Sequence, residues 1–260
     1  MNAFSTLKGM LFDLDGVLYT GSQPIEGAIE TIRRIRSSHL RRRFVTNTST
    51  LSQASLGRKL QSLGFDIPAS EIISAPQAAL HYLQKLGNPV CRLLLADDVK
   101  QDFAAIRQSD TEAECIVVGD IGNAWSYTML NEVFNCLMNG AKLVAIHKNR
   151  FWQTEHGLQM DIGGFIDALE YASGVRATII GKPSADFFRA AMDDMQLEAD
   201  EVGMIGDDID ADIGGAQQSG ILGILVRTGK FRQGYADASP IRPDAVLDSV
   251  RDLPALLGLE

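Results

Sequence analysis

The chain contains few cysteines and histidines, which argues against the kinds of site that depend on them. Its 260 residues include three cysteines, Cys91, Cys115 and Cys136, which lie far apart and form no Cys-x-x-Cys pair. This dispersed, odd number predicts reduced thiols in a cytoplasmic protein and argues against a disulfide framework or a zinc site. The four histidines are also scattered, without the spacing of metal ligands.

Positive charge is also in short supply. The chain has 24 Lys and Arg against 33 Asp and Glu, a formal net charge of −9. Nucleic acids and anionic membranes are bound mainly through Lys and Arg, so neither is a predicted partner. An acidic protein that handles an anionic substrate must concentrate its positive charge locally, through a metal ion and one or two lysines.

Long apolar runs and linker-like segments are missing as well. No stretch approaches the ~18 apolar residues that a membrane span requires. Asp13 and Asp15 interrupt the first apolar stretch, so no signal peptide is predicted. We therefore expect a soluble, cytoplasmic protein. No Gly/Ser-rich or Pro-rich segment marks a domain boundary.

Short apolar runs alternate with amphipathic stretches along the chain, which predicts an α/β fold built on a parallel sheet. The predicted strands are 8–13, 42–46, 92–96, 115–118, 142–146, 178–180, 202–206 and 221–226. The predicted helices are 26–38, 52–63, 76–86, 98–108, 126–138, 163–172, 184–195 and 210–219. Residues 1–76 and 177–260 are predicted to form a Rossmann-like core, and residues 77–176 an inserted α/β cap domain.

Two acidic clusters follow predicted strands at distant places in the chain, one at residues 13–15 and one at residues 207–212. Carboxylates that finish a buried parallel strand emerge at the carboxyl edge of the sheet, where open α/β folds bind ligands. If the two strands are neighbours, each unscreened carboxylate pair at ~4 Å repels by ~4 kcal/mol at an effective dielectric near 20. Such a cluster needs a cation, and an all-oxygen site that stays partly hydrated suits Mg²⁺.

The first cluster has the spacing of a nucleophile and a proton donor. Attack of the Asp13 carboxylate on phosphorus would give an aspartyl phosphate. Asp15, two residues on, points to the same side of an extended segment and can protonate the leaving oxygen and later deprotonate water. Gly16 allows a tight turn that leaves backbone N–H groups facing the phosphoryl oxygens. The alternative is a turn with two solvated acids.

Two further motifs contribute phosphate-binding candidates. Thr46 and Asn47 end a predicted strand just before a helix, where a hydroxyl and an amide can hold phosphoryl oxygens. The alternative for both is an ordinary helix cap. Lys182 lies between a predicted strand and a helix, and is predicted to neutralise the phosphate and the nucleophile. Its alternative is a solvated surface lysine.

The second acidic cluster supplies the predicted metal ligand. Asp207 is the first residue after its strand and is the candidate ligand. Asp208 and Asp212 are better placed to hydrogen-bond the ligands or Lys182, which orients them. The alternative is a helix N-terminus whose acids complement the helix dipole.

The order and strand-end placement of these motifs resemble the haloacid dehalogenase superfamily of phosphohydrolases over nearly the whole chain. The matching residues are Asp13, Asp15, Thr46, Lys182, Asp207 and Asp208. The insertion is similar to the large α/β cap of the nitrophenylphosphatase-like branch, and residues 164–183 and 223–230 carry a closer match to one group within it. The dehalogenases lack the acid two residues after the nucleophile, so Asp15 favours phosphoryl transfer.

The resemblance implies a Mg²⁺-dependent phosphatase that acts on a small phosphorylated molecule through an aspartyl phosphate. Pyrophosphate and phospho-nitrogen compounds are among the substrates that it leaves open. It places the metal on the Asp13 side chain, the Asp15 backbone carbonyl and Asp207. Thr46, Asn47 and Lys182 complete the phosphate cradle.

The cap is expected to select the substrate. In related phosphatases a cap loop faces the site, which makes Trp152, Gln153 and His156 candidates for substrate choice. Caps of this type often pair, so a homodimer through the cap is left open. The alternative function is a non-enzymatic phosphate-sensing or interaction module, since such modules also use clustered acids, a threonine and a lysine.

Overall fold

Parallel strands joined by helices form the framework of the protein. The structure is a computed structural model, which describes residues 3–154 and 157–259. In these ranges the strands are β1 (Gly9–Phe12), β2 (Tyr19–Thr20), β3 (Gln23–Pro24), β4 (Arg41–Thr46), β5 (Ile72–Ser74), β6 (Cys91–Leu94), β7 (Cys115–Val118), β8 (Lys142–Ala145), β9 (Phe151–Thr154), β10 (Gly157–Met160), β11 (Thr178–Ile179), β12 (Val202–Gly206), β13 (Leu222–Val226) and β14 (Ala245–Leu247). The α-helices are α1 (Ala28–Ser37), α2 (Gln53–Ser62), α3 (Ala75–Lys85), α4 (Asp97–Lys100), α5 (Tyr127–Met138), α6 (Gly163–Ser173), α7 (Ala185–Met195), α8 (Gly215–Gln218), α9 (Gln233–Ala238) and α10 (Leu253–Leu256).

The main sheet has its strands in the order β14-β13-β12-β1-β4-β5, and all neighbours are parallel. From β1 the chain moves outward through β4 and β5, and it later builds the other side through β12, β13 and β14. The strand order therefore reverses between β1 and β12, and such a reversal opens a crevice where α/β sheets bind ligands. Both strands are buried along their whole length, as expected in the middle of a parallel sheet.

A second parallel sheet, in the order β11-β8-β7-β6, is built from the chain between β5 and β12. The antiparallel hairpin of β9 and β10 follows β8. One apolar cluster joins the two sheets, because it includes Val45 and Met204 of the main sheet and Val117 and Val144 of the second. The predicted α/β class is confirmed. The predicted boundaries of the cap, residues 77–176, stay a prediction. Strand β11 lies just after residue 176 in the chain and pairs with β8 of the second sheet.

The structure differs from the sequence prediction in its short elements. Strands β5 and β14, at the two edges of the main sheet, have 3 residues each, too few for a periodic pattern. The predicted helix 98–108 is wrong, because α4 ends at Lys100 and the next residues continue as turns. The Asp98 carboxylate there accepts the Ser52 N–H at 2.6 Å, a tertiary contact that no local pattern reveals.

Helices long and apolar enough to cross a bilayer do not occur in the described part of the chain.

Candidate active site

Asp13 and Asp207 lie next to each other in the crevice between β1 and β12. Phe12 pairs with Ile205 across the two strands, and the Asp13 N–H donates to the Ile205 carbonyl at 3.0 Å. One carboxylate oxygen from each of Asp13, Asp207 and Asp212 lies within 4.8 Å of the others, and all three residues are buried. The distant acids of the sequence therefore meet, as their strand-end positions predicted.

The ammonium group of Lys182 lies inside this acidic cluster. Its Nζ is 2.6 Å from Asp13 Oδ1 and 2.6 Å from Asp212 Oδ1, and it donates to the Val45 carbonyl at 3.2 Å. The residue is only 2% exposed. Burial opposes its charge, but Asp13 and Asp212 outweigh burial and raise the pKa of Lys182. The surface-lysine alternative is therefore wrong.

Asn47 holds Lys182 in place through the backbone. Its Oδ1 accepts the Lys182 N–H at 2.9 Å, and its Nδ2 donates to the Lys182 carbonyl at 2.9 Å. Nδ2 also lies 3.3 Å from Asn149 Oδ1, in the loop after β8. The amide thus positions Lys182, and its contact with a phosphoryl group stays a prediction.

Thr46 is the last residue of β4 and is only 1% exposed. Its Oγ1 lies 2.8 Å from Thr48 Oγ1 and accepts the Thr48 N–H at 3.1 Å. The cap of helix α2 is Ser52, whose side chain accepts the Ser55 N–H. The helix-cap alternative for Thr46 and Asn47 is therefore wrong, since another residue has that role.

Asp15 lines the same cavity as Asp13. Burial raises the pKa of Asp15 to about 6, Asp13 adds to the rise, and Lys59 and Lys230 oppose it. A carboxyl group with such a pKa exchanges protons readily near neutral pH, which suits a general acid and base.

Gly16 permits the close approach of Asp207. Its φ is +84°, and a Cβ at this position would lie 1.9 Å from Asp207 Oδ2. Its N–H donates to the Tyr19 carbonyl at 2.7 Å. The N–H of Gly16 itself is therefore used within the turn, and the contact of other N–H groups of this turn with phosphoryl oxygens stays a prediction. Glycine is required here for space and for its left-handed backbone.

Lys230 is a residue of the site that the sequence reasoning missed. Its backbone N–H donates to Asp207 Oδ2 at 2.7 Å, and its Nζ donates to Asp208 Oδ2 at 2.9 Å. Burial opposes its charge, but the acids Asp208 and Asp207 raise the pKa of Lys230. Its place shortly after β13, at the same edge of the sheet as the other motifs, was the signal that could have identified it.

Asp207 has one carboxylate oxygen without a partner in the described part of the chain. Its Oδ1 is buried and, among the described residues, has no hydrogen-bond partner. Burial raises the pKa of Asp207 well above its usual value, and the nearby Asp13 and Asp212 add to the rise although Lys230 opposes it. Asp212 instead uses Oδ1 for Lys182 and Oδ2 for the Asp208 N–H. The oxygens of Asp13 and Asp207 therefore fit a hard divalent cation such as Mg²⁺.

The carboxyl ends of both parallel sheets face one cavity of about 110 Å³, the catalytic cavity. Five of the predicted site residues line it, namely Asp13, Asp15, Thr46, Asn47 and Lys182. On the side of the second sheet it is lined by Asp120, which follows β7, and His147, which follows β8. Trp152 and Gln153 of the hairpin line it too, whereas His156 lies outside the described residues.

His147 connects the second sheet to the loop after β4. Its Nε2 lies 3.1 Å from Ser49 Oγ, which also accepts the Asp120 N–H at 3.1 Å. Its Nδ1 accepts the Asn149 N–H at 3.4 Å and lies 3.9 Å from Asp161 Oδ2. Because Nδ1 acts as an acceptor, these contacts require a neutral imidazole.

We expect His147 to make the protein less stable below pH ~6.5, the ordinary pKa of histidine. Burial lowers its folded-state pKa, Lys230 and Lys182 add to this, and Asp161 and Asp120 only partly oppose it. Below pH ~6.5 the unfolded chain binds a proton that the folded protein does not, so the free energy of unfolding falls by up to ~1.4 kcal/mol per pH unit.

Urea unfolding of wild type and His147→Gln at pH 7 and pH 5 measures this contribution. The variant should lose less stability between the two values than wild type does. The exposed His81, replaced by Gln, is the matched control and should behave as wild type. Equal pH dependence in His147→Gln and wild type would contradict the prediction.

Comparison with known proteins agrees with this architecture. A family model described as haloacid dehalogenase-like hydrolase matches residues 10–107, and a related HAD-hydrolase-like model matches residues 179–253. The phospholysine phosphohistidine inorganic pyrophosphate phosphatase of Rattus norvegicus is 39% identical over 260 residues, which covers 97% of this chain and 95% of the relative.

Two solved structures are similar over most of their length. The p-nitrophenyl phosphatase of Archaeoglobus fulgidus has a TM-score of 0.87 and 26% identity, and the match covers 95% of this chain and 98% of that chain. The glycerol phosphate phosphatase of Mycobacterium tuberculosis, solved in complex with magnesium, has a TM-score of 0.82 and 27% identity. The match covers 97% of this chain and 78% of that chain.

The fold, the strand-end motifs and the relatives define a hydrolase, and the chain belongs to the haloacid dehalogenase-like hydrolase family. Within that family it is a phosphatase of the nitrophenylphosphatase-like kind.

Proposed function

We propose that this protein is a Mg²⁺-dependent phosphatase that hydrolyses a small phosphorylated substrate through an aspartyl phosphate on Asp13. The observation that carries the proposal is the meeting of Asp13, Asp207 and Lys182 at the reversal point of the main sheet. There the Asp13 carboxylate has an ammonium group at 2.6 Å, and a carboxylate oxygen of Asp207 lies within 4.8 Å.

The Asp13 side chain, the Asp15 backbone carbonyl and Asp207 would hold the cation. When bound, Mg²⁺ would screen the nucleophile from the phosphate and stabilise negative charge on the phosphoryl oxygens. The magnesium complex of the M. tuberculosis relative supports this choice of metal. The unpartnered oxygen of Asp207 supports it independently.

In the first step the Asp13 carboxylate attacks phosphorus, and the bond between phosphorus and the leaving atom breaks. Asp15, in its protonated form, gives its proton to the leaving atom. In the second step Asp15 removes a proton from a water molecule that attacks the aspartyl phosphate, which releases phosphate and restores Asp13. Lys182, positioned by Asn47, and the Thr46 hydroxyl would hold the phosphoryl oxygens meanwhile.

We include phosphoanhydrides and phosphoramidates among the substrates. The rat relative is named for inorganic pyrophosphate, phospholysine and phosphohistidine. A nitrogen leaving group needs a proton as it departs, which Asp15 would supply. Residues 77–176 would act as the cap that covers the site and limits the entry of water. The relatives are named phosphatases, which disfavours the non-enzymatic sensing module; the homodimer stays a prediction.

Metal removal and the Asp207→Asn variant test the proposal. Wild type should hydrolyse p-nitrophenyl phosphate with Mg²⁺, lose turnover in excess EDTA, and regain it when Mg²⁺ is restored. Asp207→Asn should need roughly 100-fold more Mg²⁺ for half-maximal rate, because a neutral amide binds the cation more weakly. Asp248→Asn, the same change on the surface, should keep the wild-type requirement. Full turnover in EDTA would exclude the proposed metal dependence.

A further inference from the structure

A second cavity lies directly beside the catalytic cavity and has a volume of about 280 Å³. We call it the side cavity, and its characteristic lining residues are Arg150, Phe151, Phe231, Arg232 and Tyr235. The two cavities adjoin, because both are lined by Asn149, Asp208, Ala211 and Lys230. These four residues form the boundary between the two cavities, so a substrate group that reaches beyond Lys230 would enter the side cavity.

Two arginines, Arg150 and Arg232, bring positive charge to the side cavity. Among the described residues, neither Arg150 nor Arg232 has a carboxylate partner. Arg150 Nη1 donates to the Tyr235 hydroxyl at 2.9 Å, and Arg232 Nη2 donates to Gln153 Oε1. Each guanidinium has five N–H donors, so several remain for a ligand.

The other positive groups of the side cavity are already neutralised. Lys148 pairs with Glu170 and Asp167, at 2.9 and 2.6 Å. Lys230 pairs with Asp208 at 2.9 Å. Two further acids line the wall. Asp210 accepts a hydrogen bond from the Tyr235 hydroxyl, and Asp207, which lies beside Asp13, accepts one from the Lys230 backbone N–H. An anionic group entering the side cavity would therefore be attracted to the two guanidinium groups.

Aromatic rings supply the apolar part of the wall. The Phe151 and Tyr235 rings are 6.4 Å apart and nearly perpendicular, and the Arg150 guanidinium lies 5.5 Å from the Tyr235 ring centre. Phe231 adds a third ring. Such walls pack well against a planar, apolar group.

The volumes of the two cavities can be compared with the sizes of the two parts of a substrate, its phosphoryl group and its leaving group. A benzene molecule occupies a protein cavity of roughly 150 Å³. The catalytic cavity, at about 110 Å³, is the smaller and contains the phosphate-binding candidates, whereas the side cavity, at about 280 Å³, has room for one substituted ring.

We propose that the side cavity binds the leaving group of the substrate, and that this leaving group is a planar ring with an anionic substituent held by Arg150 and Arg232. The inference rests on the proposed phosphatase function and adds a substrate class to it. Guanidinium groups bind carboxylates in a planar, two-pronged manner, and the rings cover the faces of the bound ring.

A matched pair of substrates tests the inference, 4-carboxyphenyl phosphate and its neutral analogue 4-carbamoylphenyl phosphate. The measured quantity is the ratio of their kcat/KM values, charged over neutral, with Mg²⁺ present. Arg232→Gln and Arg150→Gln should each lower this ratio roughly tenfold relative to wild type, by loss of a charge-assisted hydrogen bond. Comparing enzymes on the same pair cancels the different reactivities of the two leaving groups.

Two further variants sharpen the test. Arg232→Lys keeps the charge but loses the planar fork, so its ratio should fall between those of wild type and Arg232→Gln. Arg189→Gln, the same change on helix α7 away from both cavities, should keep the wild-type ratio. An equal loss on both substrates in Arg232→Gln and Arg150→Gln would overturn the inference, because it would indicate a purely structural role. If wild type hydrolyses p-nitrophenyl phosphate but neither of these two substrates, the inference is overturned and the phosphatase function stands. Hydrolysis of none of the three would contradict the phosphatase function.

Discussion

Asp13→Asn is expected to lose more than about 10⁴-fold in kcat/KM for p-nitrophenyl phosphate, as expected for loss of a nucleophile. The amide has nearly the shape of the carboxylate but cannot attack phosphorus. Its oxygen can still accept from Lys182, and Asp212 still balances the ammonium charge at 2.6 Å. Removal of one negative charge also relieves repulsion with Asp207 and Asp212, so the fold should remain stable.

Two measurements separate this chemical effect from unfolding. Thermal unfolding should give Asp13→Asn a Tm equal to or above that of wild type. After a rapid acid quench with ³²P-labelled substrate, wild type should carry protein-bound label and the variant none. Asp186→Asn, an exposed acid on helix α7, is the control for a lost carboxylate. Undiminished hydrolysis by Asp13→Asn would remove Asp13 from the mechanism.

Lys182→Met is expected to lose both turnover and stability. Without the ammonium, the buried carboxylates of Asp13 and Asp212 lose their common partner. Breaking a buried ion pair in this way costs about 3–5 kcal/mol. Lys85→Met, an exposed lysine at the end of helix α3, should change neither property.

The instability of Lys182→Met should grow with pH. Burial already raises the pKa of Asp212 to about 7 despite the opposing charge of Lys182, and loss of the lysine should raise it further. A carboxyl group with a raised folded-state pKa contributes stability at low pH and loses it as the pH rises through that pKa. Urea unfolding in EDTA should therefore show a larger deficit at pH 8 than at pH 5.

The double variant Lys182→Met/Asp212→Asn isolates the cause. Removal of the second charge should recover part of the lost stability at pH 8 but none of the turnover, because the phosphate still lacks its cation. If the double variant is no more stable than Lys182→Met at pH 8, repulsion between buried carboxylates is not the origin of the deficit.

The sequence predicted which residues lie together better than it predicted their contacts. Asp13, Thr46 and Lys182 line one cavity, as predicted, because each stands at the end of a short apolar run and strand ends are local features. Asn47 was expected to hold phosphate, yet its amide binds the backbone of Lys182. That contact joins positions far apart in the chain, so no spacing pattern contains it.

Lys230 and His147 were not identified from the sequence for the same reason. A single lysine or histidine after a strand has no neighbouring residues in the sequence that indicate what it will contact in the fold. Their importance comes from contacts across the fold, with Asp207 and Asp208 for Lys230 and with Ser49 for His147. The side cavity is also formed by residues of different segments, since Arg150 follows β8 and Arg232 follows β13.

By itself the sequence determined the alternation of strands and helices and the acidic strand ends, because apolar periodicity and chain breaks depend on neighbouring residues. Only the tertiary structure decided that β12 lies beside β1, which brings Asp207 to Asp13, and that the loops after β7 and β8 line the same cavity as Asp13. Strand order depends on which apolar faces pack together. That packing involves contacts between distant parts of the chain, so no single segment of the sequence determines it.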